Sequence, residues 1–374
     1  MPELPPRVRL VVIFGGRSAE HDVSRVSARE VIAALDPGRY EVVPIGIDRD
    51  GSWLRADATA ELLAAGAPDE LPSSLPVDGP AIDPLPILRP ASGDDIPVVV
   101  FPVLHGPNGE DGTVQGLLEL AGVPYIGAGV LGSALAMDKA KAKEVLAHHG
   151  IPQARYRAAV RWEITDELLD DIAAELGDVV FVKPANMGSS VGVTKARGRA
   201  ELFDAVSLAL EHDDWLVVEE AVTGHEIEIG VLGNEAPRAS VAGEIVPAAD
   251  FYDYQDKYVD GRAKLVIPAD LPDDVAVAAA DLALRAYRAL RCEVLARVDL
   301  FWVEGERGLL LNEVNTLPGC TPVSMFPLLW QASGLSYPAL LDELVRLALD
   351  RAERRSSRAA AGAPRFDPDA ALGR

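Results

Sequence analysis

The chain is poor in cysteine, in aromatic residues and in positive charge, and each shortage closes off a class of function. Only Cys292 and Cys320 occur in 374 residues, with no Cys-x-x-Cys pair and no metal-like spacing. That speaks against a disulfide framework and fits a reduced, cytoplasmic compartment. Basic residues number 35 against 58 acidic ones, a net charge of −23. Binding a nucleic-acid backbone is therefore not its main role, although a nucleotide held by a few local lysines stays compatible. No apolar run approaches the roughly 20 residues that a membrane helix needs, which predicts no membrane association. Met1 to Arg9 is too rich in proline and charge for a secretory signal. The length allows two or three domains with cores of their own.

What the chain does have is most informative near its C-terminal end. Arg297-Val298-Asp299-Leu300 and Asn312-Glu313-Val314-Asn315-Thr316 flank a polar, glycine-bearing turn, Glu304 to Gly308. Both flanks alternate apolar and polar residues, as hairpin strands do. Centring the turn on Glu306 sets Asp299 opposite Glu313 and Arg297 opposite Asn315, all on one face. Two carboxylates and an amide oxygen make a hard-oxygen set of the kind Mg²⁺ uses with phosphates. Taken alone, it also reads as a surface hairpin with a cross-strand charge cluster.

The rest of the chain predicts an α/β protein with an N-terminal doubly wound parallel sheet. Arg9 to Phe14 is a buried strand ended by Gly15-Gly16. A helix follows, capped near Asp22 or Ser24, with Val23, Val26, Val31, Ala34 and Leu35 on one face. Tyr40 to Ile47 and Pro97 to Leu104 are further strands, and 56–97 reads as an irregular surface excursion. A helix runs from near Lys139 to Gly150. Val179 to Lys183, Trp215 to Glu219 and Glu226 to Leu232 are strands, and Val275 to Leu290 is a helix. Residues 251–264 are aperiodic and polar, hence a loop. Residues 351–374 lack periodicity and are expected to be a disordered tail.

Gly188-Ser189-Ser190-Val191-Gly192 follows a strand ending in Lys183. Small residues there let backbone N–H groups close around an anion. The lysine precedes the glycines, so this is not a Walker A loop. Gly15-Gly16-Arg17-Ser18-Ala19-Glu20 lacks the G-x-G-x-x-G of a dinucleotide loop. Its Glu20, at a helix start, could bind an ammonium group or simply answer the helix dipole. Glu219-Glu220-Ala221-Val222 ends a strand where backbone groups could read a base edge, and Glu226 could accept from a ribose.

In order along the chain stand Gly-Gly-Arg-Ser-Ala-Glu20, His105-Gly106-Pro107-Asn108-Gly109-Glu110-Asp111-Gly112, Met137-Asp138-Lys139, Val182-Lys183-Pro184 and Gly188 to Gly192. Tyr252 to Tyr258, Arg297-Val298-Asp299 and Asn312 to Gly319 complete the series. From about Val11 to Leu347 this arrangement closely resembles the D-alanine–D-alanine ligase family of the ATP-grasp superfamily.

The resemblance implies a two-part ATP-grasp fold after the N-terminal domain. The domains would be 1–127 (Rossmann-like), 128–220 (central) and 221–350 (C-terminal, with 251–264 as a lid). It implies that Lys139 and Lys183 contact the phosphates of ATP beneath the Gly188-Ser189-Ser190 loop. Glu219, Glu220, Ala221 and Val222 would read adenine, Glu226 the ribose, and Phe251 and Lys257 would lie near the nucleotide. Asp299, Glu313 and Asn315 would hold two Mg²⁺ (or Mn²⁺). Glu20 and His105 would bind the first D-alanine, with Glu20, Ser189 and Tyr258 as a hydrogen-bonded triad. Lys257, Ser324 and Met325 would receive the second D-alanine, and Arg297 with the Gly319 N–H would stabilise the oxyanion. Relatives are often homodimers, which sets that expectation here.

Three departures stand out: Asn186-Met187 where many relatives have a charged or glycine-containing pair, Glu220 where some have lysine, and Met325 where leucine is frequent. The alternatives are a D-alanine–D-lactate or D-alanine–D-serine ligase, another ATP-grasp carboxylate–amine ligase, or a regulator that kept the fold without the chemistry.

Overall fold

The computed structural model describes residues 3–88, 96–246 and 264–362, with side chains as far as 357. Its first layer contains β1 (Val8–Gly15), α1 (His21–Ala34), β2 (Tyr40–Ile47), β3 (Trp53–Leu54), α2 (Asp57–Ala64), α3 (Pro84–Leu88), β4 (Val98–Pro102) and α4 (Thr113–Ala121). β1 pairs in parallel with β2 and β4, and β3 adds an antiparallel edge in the order β3-β2-β1-β4. A parallel sheet is covered on both faces, so its strands read as continuous apolar runs. Leu10 to Phe14 are accordingly all buried.

The helix after β1 differs from expectation in its cap and in part of its face, while Val31, Ala34 and Leu35 pack in the core as expected. No side chain caps it at Glu20. Ser24 instead accepts from the Gly15 N–H and donates to the Val103 carbonyl, tying two strand ends together. Asp22 pairs outward with Arg25 and Arg49. The buried face is Ser24, Ser27, Ala28, Val31 and Ile32, while Val26 is exposed. Small residues let the helix lie close to the sheet. The 56–97 excursion is more ordered than its composition suggests: it holds α2 and α3, and Leu75 and Leu88 are fully buried.

Next come α5 (Val130–Met137), α6 (Lys139–His148), β5 (Tyr156–Val160), α7 (Asp166–Leu176), β6 (Val179–Pro184), β7 (Thr194–Arg197), α8 (Gly198–His212) and β8 (Trp215–Glu220). The four strands form an antiparallel sheet in the order β5-β8-β6-β7. A third sheet, also antiparallel, has the order β11-β10-β9-β12-β13. Its parts are β9 (His225–Leu232), β10 (Arg238–Val246), β11 (Lys264–Val266), α9 (Asp273–Ala289), β12 (Leu295–Val303) and β13 (Gly308–Asn315), followed by α10 (Met325–Ala332) and α11 (Tyr337–Gly362).

Two segments pack onto distant parts of the chain. Ala136, Ala142 and Leu146 of α5 and α6 lie in the core under the third sheet. The expected tail is helix as far as Gly362. Leu340, Leu341, Leu344 and Val345 of α11 pack into the same core as Leu10 and Val12 of β1. Arg351, 2% exposed, donates to the carbonyls of Tyr125 and Gly127 and lies over the Tyr125 ring. The apparent lack of pattern there arises because a buried arginine occupies a core position.

Candidate active site

Strand alternation builds the site. In β6 and β8, Val180, Val182, Leu216 and Val218 point into the central core, so Phe181, Lys183, Val217 and Glu219 face the other way. In β9 and β12, Ile227, Ile229, Ala296, Val298 and Leu300 fill the third core, so Glu226, Glu228, Arg297 and Asp299 face outward. These two polar faces meet across a cavity of about 310 Å³. It is lined by Lys139, Lys183, Gly188, Ser189, Ser190, Glu219 to Val222, Glu226, Glu228, Arg297, Asp299, Asn312, Glu313 and Asn315.

The hairpin register is Arg297 opposite Asn315 and Asp299 opposite Glu313. Its turn, however, is one half-step off the expected centre, since Val303 pairs with Gly308. A bulge at Asn312 restores the register, because Leu300 pairs with Leu311. An extra residue in one strand also re-aims a side chain, and Asn312 joins the cavity wall, where it accepts from Lys183 at 3.3 Å. On the other side β9 sets Glu228 beside Asp299. Glu228, Asp299 and Glu313 thus form one cross-strand row of carboxylates.

Arg297 offsets that row. Its guanidinium grips both oxygens of Asp299 at 2.7 Å and lies 2.9 Å from Glu228. Burial works against the charge, but the carboxylates outweigh it and hold Arg297 firmly protonated. Asn315 donates to Asp299 at 3.0 Å, which leaves its amide oxygen as a further hard donor.

Lys139 donates to the Met187 carbonyl at 2.6 Å and lies 4.0 Å from Glu313. Burial pulls it below the usual lysine range, with Glu313 pulling the other way. Lys183 donates to Glu219 at 3.0 Å; burial lowers it too, but Glu219 and Glu313 leave it raised. Glu219 also meets Lys143 at 3.2 Å. Burial disfavours its charge, yet the two lysines draw its pKa down to about 2. The stability this lends is present at neutral pH and lost as pH falls from the ordinary carboxylate range toward 2. Glu220 accepts from Arg155 of the central layer and from Arg307 of the hairpin turn, bridging the two sheets.

At the N-terminal side, Ser189 donates to Glu20 Oε1. Ser189 and Ser190 both hold positive φ, 46° and 60°, a costly backbone state for serine that persists where surroundings impose it. A Cβ on Gly188 would come within 3.0 Å of Glu20 Oε2, so glycine permits this approach. Ser18 donates to the His105 carbonyl at 2.7 Å, and His105 Nδ1 lies 3.4 Å from Glu110. Burial opposes charge on His105, but Glu110 and Glu20 raise its pKa.

The structure therefore gathers Lys139, Lys183, Gly188 to Ser190, Glu219 to Val222, Glu226, Arg297, Asp299, Glu313 and Asn315 around one space. Glu20 and His105 stand at its edge. Gly319, Ser324 and Met325 sit in the segment after β13: Ser324 Oγ lies 2.7 Å from Thr321 Oγ1, and Met325 is buried with Ile245 and Leu329. Cys320, also buried, has its thiol pushed up to about 12, so it carries no thiolate at neutral pH. Phe251, Lys257 and Tyr258, with the lid they were expected to form, lie outside the described residues. Sequence reasoning missed Glu228, Lys143 and Asn312. Glu228 was legible two residues from Glu226 in a strand, and Lys143 one helical turn from Lys139. Nothing in the sequence marks the bulge at Asn312.

Two family profiles match: "D-ala D-ala ligase N-terminus" over residues 9–128 and "D-ala D-ala ligase C-terminus" over residues 145–346. A D-alanine–D-alanine ligase of Deinococcus radiodurans is 48% identical, covering 91% of this chain and 98% of its own. Among solved structures, the D-alanine–D-alanine ligase from Coxiella burnetii superposes with a TM-score of 0.77 at 32% identity, covering 95% of this chain and 98% of its own. The D-alanine–D-alanine ligase from Bacillus anthracis complexed with ATP gives 0.70 at 29%, covering 93% and 99%.

Proposed function

The chain belongs to the D-alanine–D-alanine ligase family, and from that premise we propose how its residues carry out the reaction. The enzyme joins two D-alanine molecules with ATP to give D-alanyl-D-alanine for peptidoglycan synthesis. The observation that supports the residue roles is the convergence of two lysines, a strained glycine–serine loop, an arginine and a row of carboxylates on one cavity between two antiparallel sheets. That is the charge pattern phosphoryl transfer to a carboxylate requires.

The first D-alanine is held by its ammonium at Glu20, beside His105. Its carboxylate attacks the γ-phosphate of ATP and becomes an acylphosphate, with ADP leaving. Lys139 and Lys183 offset phosphate charge, and the Gly188-Ser189-Ser190 backbone closes over it. Glu219 and the Glu220 to Val222 backbone hold the adenine, and Glu226 the ribose. The amine of the second D-alanine, received near Ser324, then attacks the acyl carbonyl and expels phosphate. Arg297 and the Gly319 N–H stabilise the oxyanion formed on the way. Asp299, Glu313 and Asn315 offer the hard oxygens that two Mg²⁺ or Mn²⁺ ions prefer, and such ions would neutralise the triphosphate. Both cysteines are buried and free, which suits a reducing cytoplasm.

Phosphate release from ATP is expected with D-alanine and not with L-alanine or without an amino acid; release independent of D-alanine would refute the assignment. Glu20→Gln is expected to raise the D-alanine KM by about 10–100-fold, the cost of losing one charge-assisted contact. The KM for ATP should change less, since Glu20 reaches the nucleotide cavity only through its contact with the Gly188-Ser189 loop. Initial rates over both substrates decide it, and an unchanged D-alanine KM removes Glu20 from that role.

A further inference from the structure

Glu219 is held from two sides. Lys183 donates to Oε2 at 3.0 Å, and Lys143 Nζ lies 3.2 Å from Oε1. Lys183 and Glu219 line the nucleotide cavity and Lys143 does not. Lys143 sits behind the carboxylate with its side chain 3% exposed, 5.2 Å from the centre of the Tyr156 ring. It lies on α6 one turn beyond Lys139, where positions four apart share a face. One helix thus sends one lysine into the cavity and a second to the back of its base-facing carboxylate. A buried ammonium is costly unless paired; Lys143 Nζ makes no hydrogen bond among the described residues, and the Glu219 carboxylate 3.2 Å away is the charge that offsets its burial.

We propose that Lys143 is a positioning residue that sets the purine specificity of the nucleotide site by holding Glu219 ionised and in one rotamer. This rests on the reading above in which Glu219 accepts from the amino group of adenine. A carboxylate with one ammonium bonded to one oxygen and a second beside the other has no proton to give. It accepts from a 6-amino group and repels a 6-oxo group, which brings a second acceptor. Without Lys143, one oxygen is released. Glu219 can then turn away from adenine, or take up a proton and donate to a 6-oxo purine. Such a change alters the discrimination between the two bases, which a general loss of packing would not do.

The test compares ATP with inosine triphosphate, which replaces the 6-amino group by oxygen, in D-alanine-dependent phosphate release. Lys143→Met is expected to lower the ATP-to-ITP ratio of kcat/KM by about tenfold or more, chiefly through a higher KM for ATP. Lys143→Arg, which keeps the charge, should recover most of the ratio. Glu219→Gln, which can donate as well as accept, should relax it in the same direction. If Glu219→Gln relaxes the ratio and Lys143→Met does not, the role of Lys143 is overturned while the adenine reading stands. If neither moves it, the adenine reading itself fails. An equal loss with both nucleotides would make Lys143 merely structural and also overturn the proposal. Should the methionine variant not fold, as read by thermal unfolding, Lys143→Gln is judged by the same ratios.

Discussion

Replacing Glu313 by glutamine is expected to lower D-alanine-dependent phosphate release by about a hundredfold or more, with no change in fold. The side chain keeps its size and exchanges a charged oxygen for an amide. Glu313 stands opposite Asp299 on the hairpin and 4.0 Å from Lys139, at the place where phosphate charge and cations must balance. Removing one preorganised electrostatic partner of a charged transition state typically costs about 10²–10³ in rate. The side chain is about a third exposed and glutamine keeps its volume, so the circular dichroism spectrum should match wild type. Raising Mg²⁺ should recover part of the rate if the loss lies in cation affinity. Near-normal turnover at ordinary Mg²⁺ would reject the assignment of Glu313 as a ligand.

Arg351→Met should have the largest effect on stability, a loss of about 3 kcal/mol or more. Methionine matches much of the length but supplies no donors. The carbonyls of Tyr125 and Gly127 would stay buried and lose their partner, at about 1–3 kcal/mol each. Replacing a whole buried ion pair by apolar groups can be neutral, but here only one side of the contact is removed. Arg354→Ala is the comparison on the same helix, since its partners are the carboxylates of Glu235, Glu293 and Asp350 and not buried backbone carbonyls. Urea unfolding followed by fluorescence, with kcat measured well below the transition, separates stability from chemistry. A midpoint equal to wild type would mean that α11 docks by its leucines alone.

The parallel first layer was legible because a strand covered on both faces must be apolar throughout, and Arg9 to Phe14 has that pattern. The pairing of Asp299 with Glu313 was legible because alternation and a glycine-bearing turn constrain a hairpin. Motif order carried the ligase family before any coordinate did. Tertiary structure decided what depends on distant partners. That α11 shares a core with β1 is set by packing between segments more than 300 positions apart, and local periodicity has no access to it. Arg351 looked like part of a tail because a charge in an aperiodic stretch normally means solvent; two carbonyl groups and an aromatic ring brought in from the first layer make burial tolerable. α5 and α6 went to the third sheet because their alanine-rich faces fit that core. Lys143 carries no local signal, because only folding places a carboxylate from β8 against it. Composition and alternation specify which residues can face a cavity; only the meeting of two sheets specifies which charges share it.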